Sequence, residues 1–153
     1  MGDFSSSVVI PRPREMTFEY LRTSSNYLKL FPESATRNLD AKFPEILQQG
    51  SSIEVNFKAM GNHFQIVHGI TEFRQDVKIV ATQLQGPFKQ WVCEQHFADS
   101  PHGGTLLTTS IDFKPPGGML GFVVTRKRVL SKLEEWIPRG HEMLRQAIEN
   151  GQV

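Results

Sequence analysis

The residue whose type and position best suit chemistry on a buried ligand is His68. It shares its parity with Phe64, Ile66 and Ile70 on an alternating segment, so its ring is expected to point inward with theirs. An imidazole in that setting can hydrogen-bond a ligand or act as a general acid or base near neutral pH. The plainer alternative is a core histidine bonded to backbone, the usual fate of a buried ring. The other histidines, His63, His96, His102 and His141, have none of the close spacings that place two ligands on one helix face or strand pair, so no metal site is expected. His96 falls on the outward parity with Val92 and Glu94 and reads as a surface residue. Cys93 lies between inward aromatics, where burial raises a thiol's pKa and makes it a small apolar group rather than a nucleophile. There is no Gly-x-Ser-x-Gly turn, and Glu54, Asp76, Glu94 and Asp112 read as exposed or edge charges. Pro115-Pro116-Gly117-Gly118 lacks the lysine and hydroxyl of a phosphate loop and reads as a tight turn into a helix. No catalytic constellation and no cofactor motif emerge.

Two polar residues sit on inward faces. Trp91, Cys93, Gln95 and Phe97 share one parity, and Gln95 and Thr109 bring an amide and a hydroxyl into apolar surroundings that demand partners. They can orient a ligand in a pocket, or they can bond each other across adjacent strands. The aromatic set Phe57, Trp91, Phe97 and Phe113 either lines a cavity or fills a core.

The elements that must hold these side chains follow from periodicity. Residues 4–10 form a strand stopped by Pro11 and Pro13, and residues 14–22 and 26–31 form two short helices, the second ending before Pro32. Alternation over residues 53–59 and 64–70 predicts two strands joined near Gly61-Asn62, and residues 77–85, 91–97 and 105–114 give three more. Val123, Leu130, Leu133, Ile137, Leu144 and Ile148 fall at helical spacing in one long amphipathic helix. Pro138 removes a donor from it and Gly140 weakens it, so a kink or break is expected between Glu134 and Gly140. A sheet with one apolar face needs a cover, and only the long helix is large enough.

With 153 residues, the chain is read as one domain over 1–153. Lys and Arg number 17 against 16 Asp and Glu, which leaves no basic excess for nucleic acid. Arg126-Lys127-Arg128, followed by Glu134 and Glu135, reads as a solvated helix face. A lone cysteine suits a reducing compartment, and no stretch resembles a signal peptide or an integral membrane span, so a cytoplasmic protein is expected.

Three stretches, in this order, carry a family resemblance: Gly86-Pro87-Phe88 with Trp91; then Gly104-Thr105-Leu106-Leu107 with Phe113-Lys114-Pro115-Pro116-Gly117-Gly118; then Leu133 to His141. Together they make the chain similar to the SRPBCC superfamily, which includes START lipid-binding domains, the birch pollen allergen family and polyketide cyclases. The resemblance covers nearly the whole chain. It implies an α+β helix-grip fold: a curved antiparallel sheet of about six or seven strands around a long C-terminal helix, with an apolar cavity between them. Similar bacterial sequences often carry Trp-x-His-x-His-x-Phe where this chain has Trp91, Cys93, Gln95 and Phe97. They often have Asp at the position of Thr109 and Arg at that of Gly140. The function this implies is binding or transport of a hydrophobic small molecule, a lipid, a sterol-like or an aromatic polyketide-like compound, without a cofactor. Its expected lining is Phe57, Ile66, His68, Trp91, Gln95, Thr109, Phe113, Leu133 and Ile137. The alternative is a cyclase or dehydratase using His68 as its acid/base, and a third reading is a protein-interaction module with a filled core. Oligomeric state and the position of the cavity entrance are left open.

Overall fold

The computed structural model describes residues 3–30, 40–59 and 62–151; the side chains of residues 57–59, 62 and 64 lie outside that description. Strand β1 (Phe4–Ile10) alternates buried and exposed positions and stops at Pro11. Helix α1 (Arg14–Arg22) starts behind Pro13, whose carbonyl accepts from the amides of Met16 and Thr17, and it buries Thr17, Phe18, Tyr20 and Leu21. Helix α2 (Ser24–Leu28) begins two residues before the expected second helix; the last residue of that expected helix, Phe31, lies outside the described residues.

The rest of the sheet is a meander: β2 (Asp40–Lys42), β3 (Ser52–Ala59), β4 (Asn62–Arg74), β5 (Lys78–Gln85), β6 (Gln90–Asp99) and β7 (Thr105–Lys114). All pairs are antiparallel, and the seven strands run in the order β1-β7-β6-β5-β4-β3-β2. Strand β4 runs to Arg74, past the expected end at residue 70, because its pairing with β5 continues there; register shifts between Val67 and His68 and between Ile70 and Glu72 interrupt the alternation.

Helix α3 (Leu120–Val123) is a single turn, and helix α4 (Arg126–Glu149) follows it. Thr125 separates them because it caps α4, its hydroxyl accepting from the Arg128 amide at 3.3 Å. Val123, expected on the buried stripe of the long helix, therefore sits in α3 and is half exposed. Of the kink or break expected between Glu134 and Gly140, the break does not occur: α4 is continuous over 24 residues. Pro138 and Glu134 both lie on the exposed face, where solvent can satisfy the carbonyl that the proline ring leaves without its helical donor.

Leu133, Ile137, Gly140, His141, Leu144 and Ile148 form the buried stripe of α4, which covers the inner face of the sheet. Two apolar clusters result. One joins Phe18, Leu21, Leu30, Ile70, Phe97, Leu107, Leu144 and Ile148, with the Phe18 ring edge-on to Phe97 at 5.0 Å. The other joins Phe4, Cys93, Ile111, Phe113, Leu133 and Ile137. Each fully buried side chain of this size contributes roughly 1.5–3 kcal/mol.

Candidate functional site

Between the two clusters runs a belt of buried polar groups. In the β6–β7 register Cys93 faces Ile111, Gln95 faces Thr109 and Phe97 faces Leu107, so the amide and hydroxyl lie one row from apolar neighbours on either side. From α4, His141 reaches into the same row. The Thr109 hydroxyl donates to Gln95 Oε1 at 2.5 Å and meets His141 Nε2 at 2.7 Å. A hydroxyl has one proton, so with that proton on Gln95 the His141 ring must donate through Nε2–H. Its Nδ1 is then the unprotonated nitrogen, buried and without a partner among the described residues.

The Gln95 amide nitrogen donates to Cys93 Sγ at 3.6 Å, and the Tyr27 side chain interacts with both Cys93 and Gln95. Burial pushes the Cys93 thiol up to about 12, raises the Tyr27 hydroxyl and lowers His141 to about 4. The belt is therefore uncharged near pH 7 and contains no thiolate. Gln95 and Thr109 do bond each other across adjacent strands. Thr109→Val keeps the shape but strands the Gln95 oxygen and the His141 Nε2–H, and should lower stability by about 2 kcal/mol. A urea midpoint equal to that of the wild type would show that the belt contributes nothing.

A second group lies toward the end of the sheet where β3 turns into β4. His68 pairs with Ile53 on one side and Gln83 on the other, and Ile66 pairs with Val55. Val55, Ile66, His68, Gln83, Phe88, Trp91, Val129 and Leu130 are all half-buried, in contrast to the closed clusters beside them. Phe88 stacks edge-on against Trp91 at 5.0 Å and approaches Phe113 at 6.1 Å, with Leu133 and Ile137 behind them. Gln83 donates to the Phe88 carbonyl at 2.7 Å, which holds the β5–β6 turn and leaves His68 alone. Among the described residues His68 has no hydrogen-bond partner, and burial lowers its ring to about 4. A cleft of about 600 Å³ runs along the first turns of α4 beside Arg126, Lys127, Leu130, Ser131 and Glu134.

The residues named from sequence thus fall into three groups. Trp91, Phe113, Leu133 and Ile137 share one cluster; Gln95 and Thr109 are joined in the belt; Ile66 and His68 lie on β4, with β5 between them and β6. The side chain of Phe57 lies outside the described residues. Sequence reasoning passed over His141 and Tyr27. His141 had a signal, a polar residue in the stripe of Leu133, Ile137, Leu144 and Ile148, whereas Tyr27 had none. Among the described residues no group of three or more His, Cys, Asp or Glu side chains could hold a metal ion, and no helix is long and apolar enough to cross a membrane.

No protein-family model matches this sequence, and none of the curated proteins does. Solved structures do match. The Zhui aromatase/cyclase from a Streptomyces species superposes with a TM-score of 0.62 over 95% of this chain and 89% of that one, at 18% identity. The di-domain ARO/CYC StfQ from the steffimycin biosynthetic pathway gives 0.66 over 98% of this chain and 52% of its own, at 14% identity. Ginseng major latex-like protein 151 from Panax ginseng gives 0.58 over 92% and 94%, at 17% identity. The fold is the helix grip. At these identities the likeness extends to that fold, which an aromatase/cyclase and a latex-like protein share, and no further.

Proposed function

We propose that this domain binds a hydrophobic small molecule, of lipid, sterol-like or aromatic polyketide-like character, at the half-buried end of the grip. One observation carries the reading: the His68 imidazole is half-buried on the inner face, close to apolar side chains that are themselves half-buried, with no partner for its ring among the described residues. A filled core would bury these side chains and pair that ring. Ile66 and Trp91 supply the apolar wall in this reading, and Phe113, Leu133 and Ile137 pack behind Trp91. His68 supplies a single polar contact for a hydroxyl or carbonyl on an otherwise apolar ligand. Gln95 and Thr109 serve as a closed floor, since their polar groups are already spent on each other and on His141.

Binding is favoured over catalysis by the same histidine. A ring held at about 4 is a weak base and is almost never an acid near pH 7, whereas an effective acid/base group sits near its working pH. Neutral, it can still donate and accept hydrogen bonds. Native mass spectrometry of the purified protein, followed by denaturing extraction, is expected to release a stoichiometric apolar compound. With that compound as the probe, His68→Ala should raise Kd about ten-fold, the loss of one hydrogen bond. Unchanged affinity would remove His68 from the site, and lost turnover with affinity retained would favour the cyclase reading instead.

A further inference from the structure

The surface next to the proposed site carries an inference that does not depend on what that site holds. Between Phe113 and Leu133 the chain contains five Lys or Arg residues and not one Asp or Glu. In the middle of that stretch, Met119 is 86% exposed, Phe122 83% and Val123 50%; the first two are the most exposed large apolar side chains among the described residues. Nothing in the fold requires these residues outside: α3 buries none of its side chains.

The segment is nevertheless built. Phe122 N–H bonds the Met119 carbonyl at 3.2 Å, Val124 N–H bonds the Leu120 carbonyl at 2.9 Å, and Gly121 N–H bonds the Gly118 carbonyl at 3.2 Å. Gly121 is folded so tightly against Pro116 that a Cβ there would lie 2.5 Å from the Pro116 carbonyl oxygen. Met119 and Phe122 are therefore presented on a closed bend at little further entropic cost.

Cations surround this bend. Lys127 and Arg128 open α4 directly after it, Lys114 ends β7 directly before it, and the Lys89 side chain lies along Gly117. None of these four has an acidic partner among the described residues. Arg126 is different, being paired with Asp3 and lying over the Phe113 ring. The register Gln90↔Lys114 and Trp91↔Phe113 puts the bend at the same end of the sheet as half-buried Trp91 and Phe88.

We propose that the Met119–Val123 bend inserts into the surface of a bilayer containing anionic phospholipid, with Lys89, Lys114, Lys127 and Arg128 resting on the headgroups. Apolar side chains at the tip and uncompensated cations around it match the two layers of such a surface, hydrocarbon beneath and negative charge above. A protein partner fits less well. A stable protein interface covers about 800 Å² on each side with a complementary shape, while this bend offers three exposed apolar side chains, Met119, Phe122 and Val123.

The test is sedimentation of the full chain with sucrose-loaded vesicles of phosphatidylcholine alone or mixed with phosphatidylserine. The wild type should sediment with the mixed vesicles and not with the neutral ones. M119S/F122S should weaken that partition by about ten-fold or more, with thermal unfolding unchanged because both side chains are already in water. K127E/R128E should weaken it by at least about 25-fold, some five-fold for each charge removed and more for reversal. Failure of the folded wild type to sediment with the mixed vesicles overturns the proposal and assigns the bend to a partner protein with an acidic rim. Partition that falls with K127E/R128E but not with M119S/F122S also overturns it, because the protein then only adsorbs through charge.

Discussion

Gly140→Ala should destabilise the domain by about 3 kcal/mol, seen as a lower urea midpoint with an unchanged slope. A methyl group at this position would lie 1.9 Å from the Leu30 carbonyl oxygen and 2.7 Å from its carbon. Those atoms are backbone, and Leu30 is itself buried and held by a bond from its amide to the Tyr27 carbonyl. Neither side can swing away, so α4 must lift off the chain that follows α2. In an isolated helix the same substitution would be favourable by about 1 kcal/mol, so the sign of the change separates packing from helix propensity. A midpoint at or above that of the wild type would mean that the close approach costs nothing. The neighbouring residue is His141, and any displacement of α4 also opens its contact with Thr109.

The second large effect is a loss of stability in mild acid. The folded His141 ring titrates at about 4 against 6.5 for an unperturbed histidine, because burial disfavours its cation. Between those values the unfolded chain binds a proton that the folded chain refuses, so stability rises with pH across the window. The contribution is complete above about pH 6.5 and is lost progressively as pH falls toward 4, to a total of about 3 kcal/mol. His68 is lowered by burial too and acts in the same direction. Urea midpoints measured across this range should fall steeply for the wild type and less steeply for His141→Gln, which cannot titrate. Equal slopes in the two proteins would mean that His141 accepts its proton while folded.

Much of the architecture was readable because the strands alternate cleanly. The limits of β1, α1 and β7 agree with the pattern, since each is bounded by proline or glycine or contrasts sharply with its neighbours. Strand β2 has three residues, too few for any period to register, and it is recognisable only through its pairing with β3. Val123 was assigned to the long helix because periodicity does not see Thr125 switching from helix interior to cap. At the site, the partnership of Gln95 and Thr109 was within reach, since a meander makes β6 and β7 neighbours and fixes which inward positions meet. The third member was not, because the reach of His141 depends on how closely α4 approaches the sheet. That distance is set by Gly140 against Leu30, two residues more than a hundred positions apart. Sequence reading took Gly140 for a weak point in the helix, and in the structure it is the place of closest contact.

The position of β1 at the far side of β7 has a consequence for biosynthesis. From β3 onward, each strand pairs with the one made just before it, so the meander can assemble hairpin by hairpin as the nascent chain emerges. The first strand cannot join in: Ser7 meets Thr108 across 101 residues of chain. Phe4, Val8 and Ile10 must wait, unpaired and apolar, until β7 has been translated, while β7 in turn offers an open edge until they arrive. On a crowded polysome the waiting β1 of one nascent chain can reach the open β7 edge of its neighbour, which makes residues 4–10 the natural segment for exchange between two copies.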